Sequence, residues 1–491
     1  MKNIKRTISF ALAFLTIAGM FACKKASSYP DSETSDNKTS GVSDSETSPE
    51  TKYEDTLPEK SYYGADFKML ISEQLADLTF TEADLGNQVD NAIYTSYARV
   101  IDRFNLKFSV KAMSTQSKGA TAFANEVRTT VSSGDTYDLV MGQLYFCLPL
   151  AYDGIWADLS DAKYLNTDQP WYYQSINDKL ELCDQMYAIT GAFNMDKLSA
   201  SMITYYNKDM FKSLVSGNEK YQNIYETVKN GEWTFDDMNT LVALAQSENG
   251  DGMWDESDTY GFVGTGTQFT CLISSDLPGF EKNGNGEWEL VFWSERLVDV
   301  FNTYKGFLSQ PYVRNGGYDD TDIFTSGNSL FYSSHLSQMA TVKDSSQFEV
   351  GVLPFPKYDT KQENYLTFVN RSEAYYIPSV VDFEKSTLVL DYLNYLFYEN
   401  VVPAYWETTM KSRYNDDPND WEMLDLIRSS TYDDFGYIFR SELGSFYDKC
   451  APLLLTDTEL SAWWATKKLE VETSFNSLME KYEKMAENLG K

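Results

Sequence analysis

Residues 67–110 read FKMLISEQLADLTFTEADLGNQVDNAIYTSYARVIDRFNLKFSV, and the fold class rests on this stretch. Residues 67–71 form a short apolar run and read as a buried strand. Val89, Ile93, Tyr97, Val100, Ile101 and Phe104 recur at three- and four-residue steps, the period of an amphipathic helix. Phe108 and Val110 then alternate with polar neighbours as a second strand. Strand, helix and strand at this spacing build a right-handed parallel unit. Working outward, residues 123–131 predict another helix and residues 137–141 a third buried strand. The loop that follows, with Gln143 and Tyr145, would lie at a strand C-terminus, where open α/β sheets bind ligands.

The N-terminus is of a different kind. Lys2, Lys5 and Arg6 precede an apolar run over residues 8–18. That run is too short to span a hydrocarbon core, which takes about 20 residues. Residues 1–22 therefore read as a secretory signal. Ala22-Cys23 resembles a bacterial lipobox, which implies diacylation of Cys23 as the new N-terminus; an ordinary signal with a chance cysteine is the alternative. Residues 23–58 are dominated by Ser, Thr, Asp, Glu and Pro, and cannot bury enough surface to offset the entropy of ordering. They read as a flexible tether. No later segment approaches membrane-spanning length, so a lipid anchor is the expected tie to the membrane.

Residues 59–491 are too long for one ordinary core and predict two lobes. Aromatic residues make up 15% of the chain and include 35 Tyr. Their flat faces can pack in a core or stack on sugar rings. The formal charge of -32, from 41 basic and 73 acidic residues, makes nucleic acid a poor partner. Cys147, Cys183, Cys271 and Cys450 form no Cys-x-x-Cys pair, which argues against a zinc cluster or redox motif; buried free thiols are expected. His335 is the only histidine. A multi-histidine metal site is thereby excluded, and no Gly-x-Ser-x-Gly elbow accompanies it. Gly264-Thr265-Gly266 lacks the Gly-Lys-Ser/Thr ending of a phosphate loop. No cofactor or metal is predicted. Catalysis by two carboxylates stays open, since the acids offer many pairs.

Seven segments arrive in an order that resembles the bacterial extracellular solute-binding proteins of ABC transporters, in their carbohydrate-binding branch. They are the helix over 86–104, the Tyr137-Asp138-Leu139-Val140 strand and the Gly154-Ile155-Trp156-Ala157-Asp158-Leu159 turn. Then come Tyr205-Tyr206-Asn207-Lys208-Asp209-Met210-Phe211 and Glu232-Trp233-Thr234-Phe235-Asp236-Asp237-Met238. Phe324-Thr325-Ser326-Gly327-Asn328-Ser329-Leu330-Phe331 follows, with Asn328 where the family usually has lysine, and Val352-Leu353-Pro354-Phe355-Pro356 completes the set. The resemblance spans about residues 64 to 380. It implies a two-lobe α/β fold of the periplasmic-binding-protein type II kind, with hinge crossings and a ligand cleft between lobes. The expected division is 59–195 with 330–378 for lobe 1, and 196–329 with 379–491 for lobe 2.

Such a protein would be a monomer that captures a small solute, a sugar or oligosaccharide first among them, and delivers it to the permease subunits of an ABC importer. It would sit outside the cell membrane or in a periplasm on its lipid anchor. Candidate ligand-binding residues are Gln143 and Tyr145 after the third strand, and Ser334 and His335 after the return strand. Arg371, Glu373 and Tyr375 precede the Pro378 crossing, and Trp406 with Glu407 occupies a loop after Pro403. Each has a plainer reading: Arg371 and Glu373 as a surface ion pair, His335 as a satisfied loop histidine, Trp406 as a hydrophobic cap. Asn207 reads as the cap of the helix beginning at Lys208, and Trp233 as packing at a helix start. Leu460, Trp463, Trp464, Val471, Phe475, Leu478 and Tyr482 have the spacing of a docked amphipathic helix. A surface polysaccharide-binding adhesin and a carboxylate-dependent surface glycosidase are the alternatives.

Overall fold

The computed structural model describes residues 57–491, apart from 84, 85, 117, 318, 319 and 415. The expected signal, Cys23 and the tether as far as residue 56 lie outside the described residues. At the tether's expected end, the Leu57 carbonyl accepts a hydrogen bond from Arg103 at 2.7 Å.

The chain enters through strand β1 (Ala65–Ser72), helix α1 (Gln88–Phe104) and strand β2 (Leu106–Met113). β1 and β2 pair in parallel over their whole length, so the opening unit is the one its periodicity predicts. Asn87 caps α1 by accepting from the Asp90 N–H at 2.9 Å, and Asn105 ends it in the left-handed conformation. Val89, Ile93, Tyr97, Val100 and Phe104 are buried, whereas Ile101 is only half-buried. Helix α2 (Lys118–Ser133) leads to β3 (Leu139–Gln143), which lies parallel to β1. β3 thus runs two residues beyond its expected end. Gly142 permits this, because a Cβ there would come within 2.7 Å of Cys147 Sγ.

The chain then crosses to a second sheet. β4 (Met202–Asn207) runs directly into helix α3 (Lys208–Leu214), with the Asn207 side chain accepting from the Met210 N–H at 2.9 Å. Helix α4 (Phe235–Ala245) begins at a capping box: the Thr234 N–H donates to Asp237 Oδ2 at 3.3 Å. Trp233 beside it is fully buried and donates to the Pro354 carbonyl at 3.3 Å, as its packing role requires. Next come β5 (Tyr260–Gly264), α5 (Thr267–Ile273), α6 (Glu295–Leu308), β6 (Val313–Arg314), β7 (Ser329–His335) and β8 (Val350–Leu353). The return brings β9 (Glu373–Tyr376), α7 (Phe383–Leu396), α8 (Pro418–Ser429) and the long α9 (Leu460–Leu489).

The first sheet has the order β9-β3-β1-β2 and the second β6-β5-β7-β4-β8. β4, β5, β7 and β8 are buried at nearly every position, as strands covered on both faces must be. β8 is an edge strand, which suits the Pro354 and Pro356 that follow it. Between the sheets the two crossing segments pair with each other. Ser201 bridges Val369 in antiparallel fashion, and the Asn370 N–H donates to the Ala200 carbonyl at 3.2 Å.

Strand pairing corrects part of the expected division. β7 and β8, placed with the first lobe by sequence, hydrogen-bond on both sides of β4 and belong to the second sheet. α7, placed with the second lobe, packs on α1 of the first: Tyr392 meets Phe104 edge-on at 5.7 Å and lies under Arg103 at 4.5 Å. No helix of the described residues is long and apolar enough to cross a membrane. Cys147, Cys183, Cys271 and Cys450 are unpaired, and all but Cys183 are buried.

Candidate functional site

The ends of β1, β2 and β3 carry a polar box. Ser72 closes β1 and shares a hydrogen bond with Thr115 Oγ1 at 2.8 Å. Gln74 Oε1 accepts from Ser72 Oγ at 3.0 Å and from the Thr115 N–H at 3.1 Å. Gln143, the last residue of β3, reaches Thr115 Oγ1 at 3.4 Å, and Thr115 Oγ1 lies 3.4 Å from Glu373 Oε1. Ser72, Gln74, Thr115 and Gln143 sit at or just beyond the ends of parallel strands, Glu373 opens the antiparallel β9, and they converge only because these strands are neighbours.

The crossings supply the charges. Arg371 Nε lies 3.2 Å from Asp196 Oδ1, and the Glu373 N–H donates to Asp196 Oδ2 at 3.2 Å. Asn194 donates from Nδ2 to the Glu373 carbonyl at 2.6 Å and accepts the Asp196 N–H at 2.9 Å. Both carboxyls are about 1% exposed. Burial, and secondarily the charge of Asp196, push Glu373 up to about 8; burial also raises Asp196. On the other strand, Asn370 Nδ2 lies 2.9 Å from His335 Nε2. Burial and the neighbouring Arg371 lower this imidazole to about 4, so it is neutral at physiological pH.

The second sheet contributes the ends of β5 and β6. Asn315 donates to Gln268 Oε1 at 2.7 Å, and Arg314 Nε pairs with the fully buried Asp320 at 2.7 Å. A further wall comes from residues 434–446. Arg440 stacks on Tyr437 at 4.1 Å and on Tyr145 of the first lobe at 5.1 Å, with Asp448 3.8 Å from its Nε. Tyr437 donates to the Asn370 carbonyl at 3.1 Å.

The structure thus gathers Gln143, Tyr145, His335, Arg371 and Glu373 around the crossings. Arg371 pairs with Asp196 and not, as the surface-pair reading had it, with Glu373. Other candidates stand apart. Tyr375 is fully buried and stacked on Phe193 at 5.0 Å. Ser334 is fully buried within β7. Trp406 and Glu407 do not occupy a loop but a helix with π-type turns over Ala404–Arg413. Trp406 is 1% exposed with its indole N–H on Asp425 at 2.9 Å, so neither ring face is open; Glu407 pairs with Lys411 at 3.2 Å. Sequence reading passed over Gln74, Thr115, Asp196, Gln268, Asn315, Asn370, Tyr437 and Arg440. Gln74 and Thr115 had a usable signal, being polar residues just beyond predicted strands. Tyr437 and Arg440 had none, because they arrive from more than 60 residues beyond the last crossing.

Two α/β lobes joined by paired crossings, with polar groups gathered at those crossings, have the architecture of a two-lobed binding protein. The sequence matches the family described as bacterial extracellular solute-binding protein over residues 99–423, and the chain belongs to that family. No curated protein matches it in sequence. Solved structures share the fold at low identity. A cyclic α-maltosyl-1,6-maltose binding protein of Arthrobacter globiformis superposes with a TM-score of 0.55 at 11% identity, covering 86% of this chain and 100% of that one. An ABC substrate-binding protein of Listeria monocytogenes in complex with cycloalternan gives 0.52 at 11%, covering 87% and 99%. A Mycobacterium tuberculosis protein in complex with glycerophosphocholine gives 0.53 at 14%, covering 84% and 98%.

Glu373 yields a pH prediction. Its folded value of about 8 lies above the ordinary 4.5. Stability attributable to the neutral carboxyl is therefore full below 4.5 and is lost as pH rises towards 8. Glu373→Gln should flatten the fall of melting temperature between pH 5 and 8; an unchanged slope in the variant would show that Glu373 ionises normally.

Proposed function

We propose that the protein captures an uncharged sugar or oligosaccharide between its lobes and hands it to the permease of an ABC importer. The observation that carries this reading is the charge balance of the candidate site. Arg371 and Arg314 are paired with Asp196 and Asp320, His335 is neutral, and burial favours the neutral form of Glu373. What is left to meet a solute is amides, hydroxyls and the ring of Tyr145, which is 39% exposed. Amides and hydroxyls match sugar hydroxyls in both donor and acceptor sense, and an aromatic face suits the apolar side of a pyranose. Proteins of the same fold include one in complex with cycloalternan and a cyclic α-maltosyl-1,6-maltose binding protein, which agrees with this reading.

On this account Gln143, Tyr145, Asn370, Gln268 and Asn315 make the contacts, and Arg371, Glu373, His335 and, against the Tyr145 ring, Arg440 position them. The protein acts as a monomer by binding alone. The carboxylates brought together at the crossings, Asp196 and Glu373, are buried against Arg371 and Thr115, which suits a structural role and not attack on a glycosidic bond. A ligand touching both lobes favours closure only through contacts it makes in the closed state.

Neutral maltotriose or a cyclic glucan should raise the thermal stability of residues 59–491, by roughly 2.7 kcal/mol at about 100 times its Kd. A shift with spermidine or a peptide and none with any neutral sugar would overturn the substrate class. The same proposal places the protein on the outer face of a membrane through a lipid on Cys23, ahead of an extended tether. Cys23→Ala should release the protein from the membrane fraction of expressing cells; retention there would remove the anchor from the account.

A further inference from the structure

Helix α9 belongs to neither sheet yet touches both lobes. Its 30 residues give it a length of about 45 Å. Near its start, Trp464 packs on Phe292 at 5.0 Å and lies parallel to Trp293 at 6.3 Å. Those residues lead into α6, whose Tyr304 meets Phe235 of α4 at 4.4 Å, and α4 covers β5 of the second sheet. Midway, Phe475 packs on Phe280 at 5.0 Å.

The far end docks on the other lobe. Tyr482 meets Tyr152 and Tyr187, each at 6.1 Å, and its carbonyl accepts from Gln185 Nε2 at 2.9 Å. Lys491 Nζ reaches Asp158 at 2.8 Å, Asp161 at 2.9 Å and the Asp184 carbonyl at 3.0 Å. This region moves with the first sheet, since Trp156 stacks on Tyr376 of β9 at 4.8 Å and the Ala157 N–H donates to the Ile377 carbonyl at 2.8 Å.

We propose that α9 is a brace that holds the angle between the lobes. A continuous helix does not shorten or bend freely, so a change of lobe angle must break its contacts at one end. The second-lobe end is apolar and interdigitated; the first-lobe end is edge-on aromatic, hydrogen-bonded and ionic. The ionic end yields first. Contacts remote from the cleft therefore set how much of the population can close, and with it the apparent affinity.

The test needs no ligand. Dyes on non-canonical residues at Tyr94 of α1 and Leu244 of α4, 39% and 57% exposed, report the inter-lobe distance in single molecules of the full chain. Gln185→Ala with Lys491→Ala should broaden the distance distribution about twofold relative to the native protein. Raising salt from about 0.05 to about 1 M should broaden the native distribution and leave the double variant unchanged. A distribution as narrow as the native one, with the last turns of α9 exchanging their amides freely, would overturn the proposal. Should the double variant lose its cooperative melt, Lys491→Ala alone decides by the same two readings.

Discussion

The rest of the structure depends on the way the chain passes between its two sheets. Residues 200–201 and 369–370 run past each other in opposite directions and exchange backbone hydrogen bonds. Beside them Asp196, from the outgoing crossing, meets Arg371, from the returning one. A carboxylate this deeply buried is costly unless it is paired and hydrogen-bonded, and removing one partner of such a pair is far worse than having neither. The pair therefore fixes the two crossings to one another. The hydrogen bond from the Glu373 N–H to the same carboxylate extends the constraint into β9, and so into the edge of the first sheet.

This arrangement explains why the candidate site is neutral in a chain of net charge -32. Many of the other acids among the described residues are exposed, where hydration favours solubility. At the strand ends each arginine is answered by a carboxylate, and burial favours the neutral form of the remaining acid. A solute entering there would find directional hydrogen bonding and no net field. The proposed selectivity for uncharged sugars thus follows from how the hinge is stabilised.

Much of this was legible from the sequence where a short-range rule governed it. The period of α1, the alternation in β2, the Asn207 cap and the box at Thr234 depend on neighbours two to four residues away, and they stand as read save for the half-buried Ile101. The docked C-terminal helix likewise showed in its spacing. The division into lobes was half legible. The return strand was visible through the resemblance at 324–331, with Ser334 and His335 expected after it. It runs instead over Ser329–His335 and includes both, and which sheet takes it depends on long-range pairing with 202–207, which no local pattern encodes. The same holds for Trp406. A tryptophan after a proline resembles a platform on an exposed loop, yet the chain continues as helix and the ring closes a core against α8. Tyr145 and Gln143 could be named as candidates because a strand-end rule reaches them, whereas Tyr437 and Arg440 enter from a distant segment and needed the fold.

The central claim is that the solute is held between lobes that close upon it. Small-angle X-ray scattering of residues 59–491, with and without a saturating neutral oligosaccharide that stabilises the protein, tests this most directly. Closure predicts a smaller radius of gyration in the bound state, reversed when the sugar is dialysed away. Saturable binding with an unchanged scattering curve would contradict it and point to an open, rigid surface site.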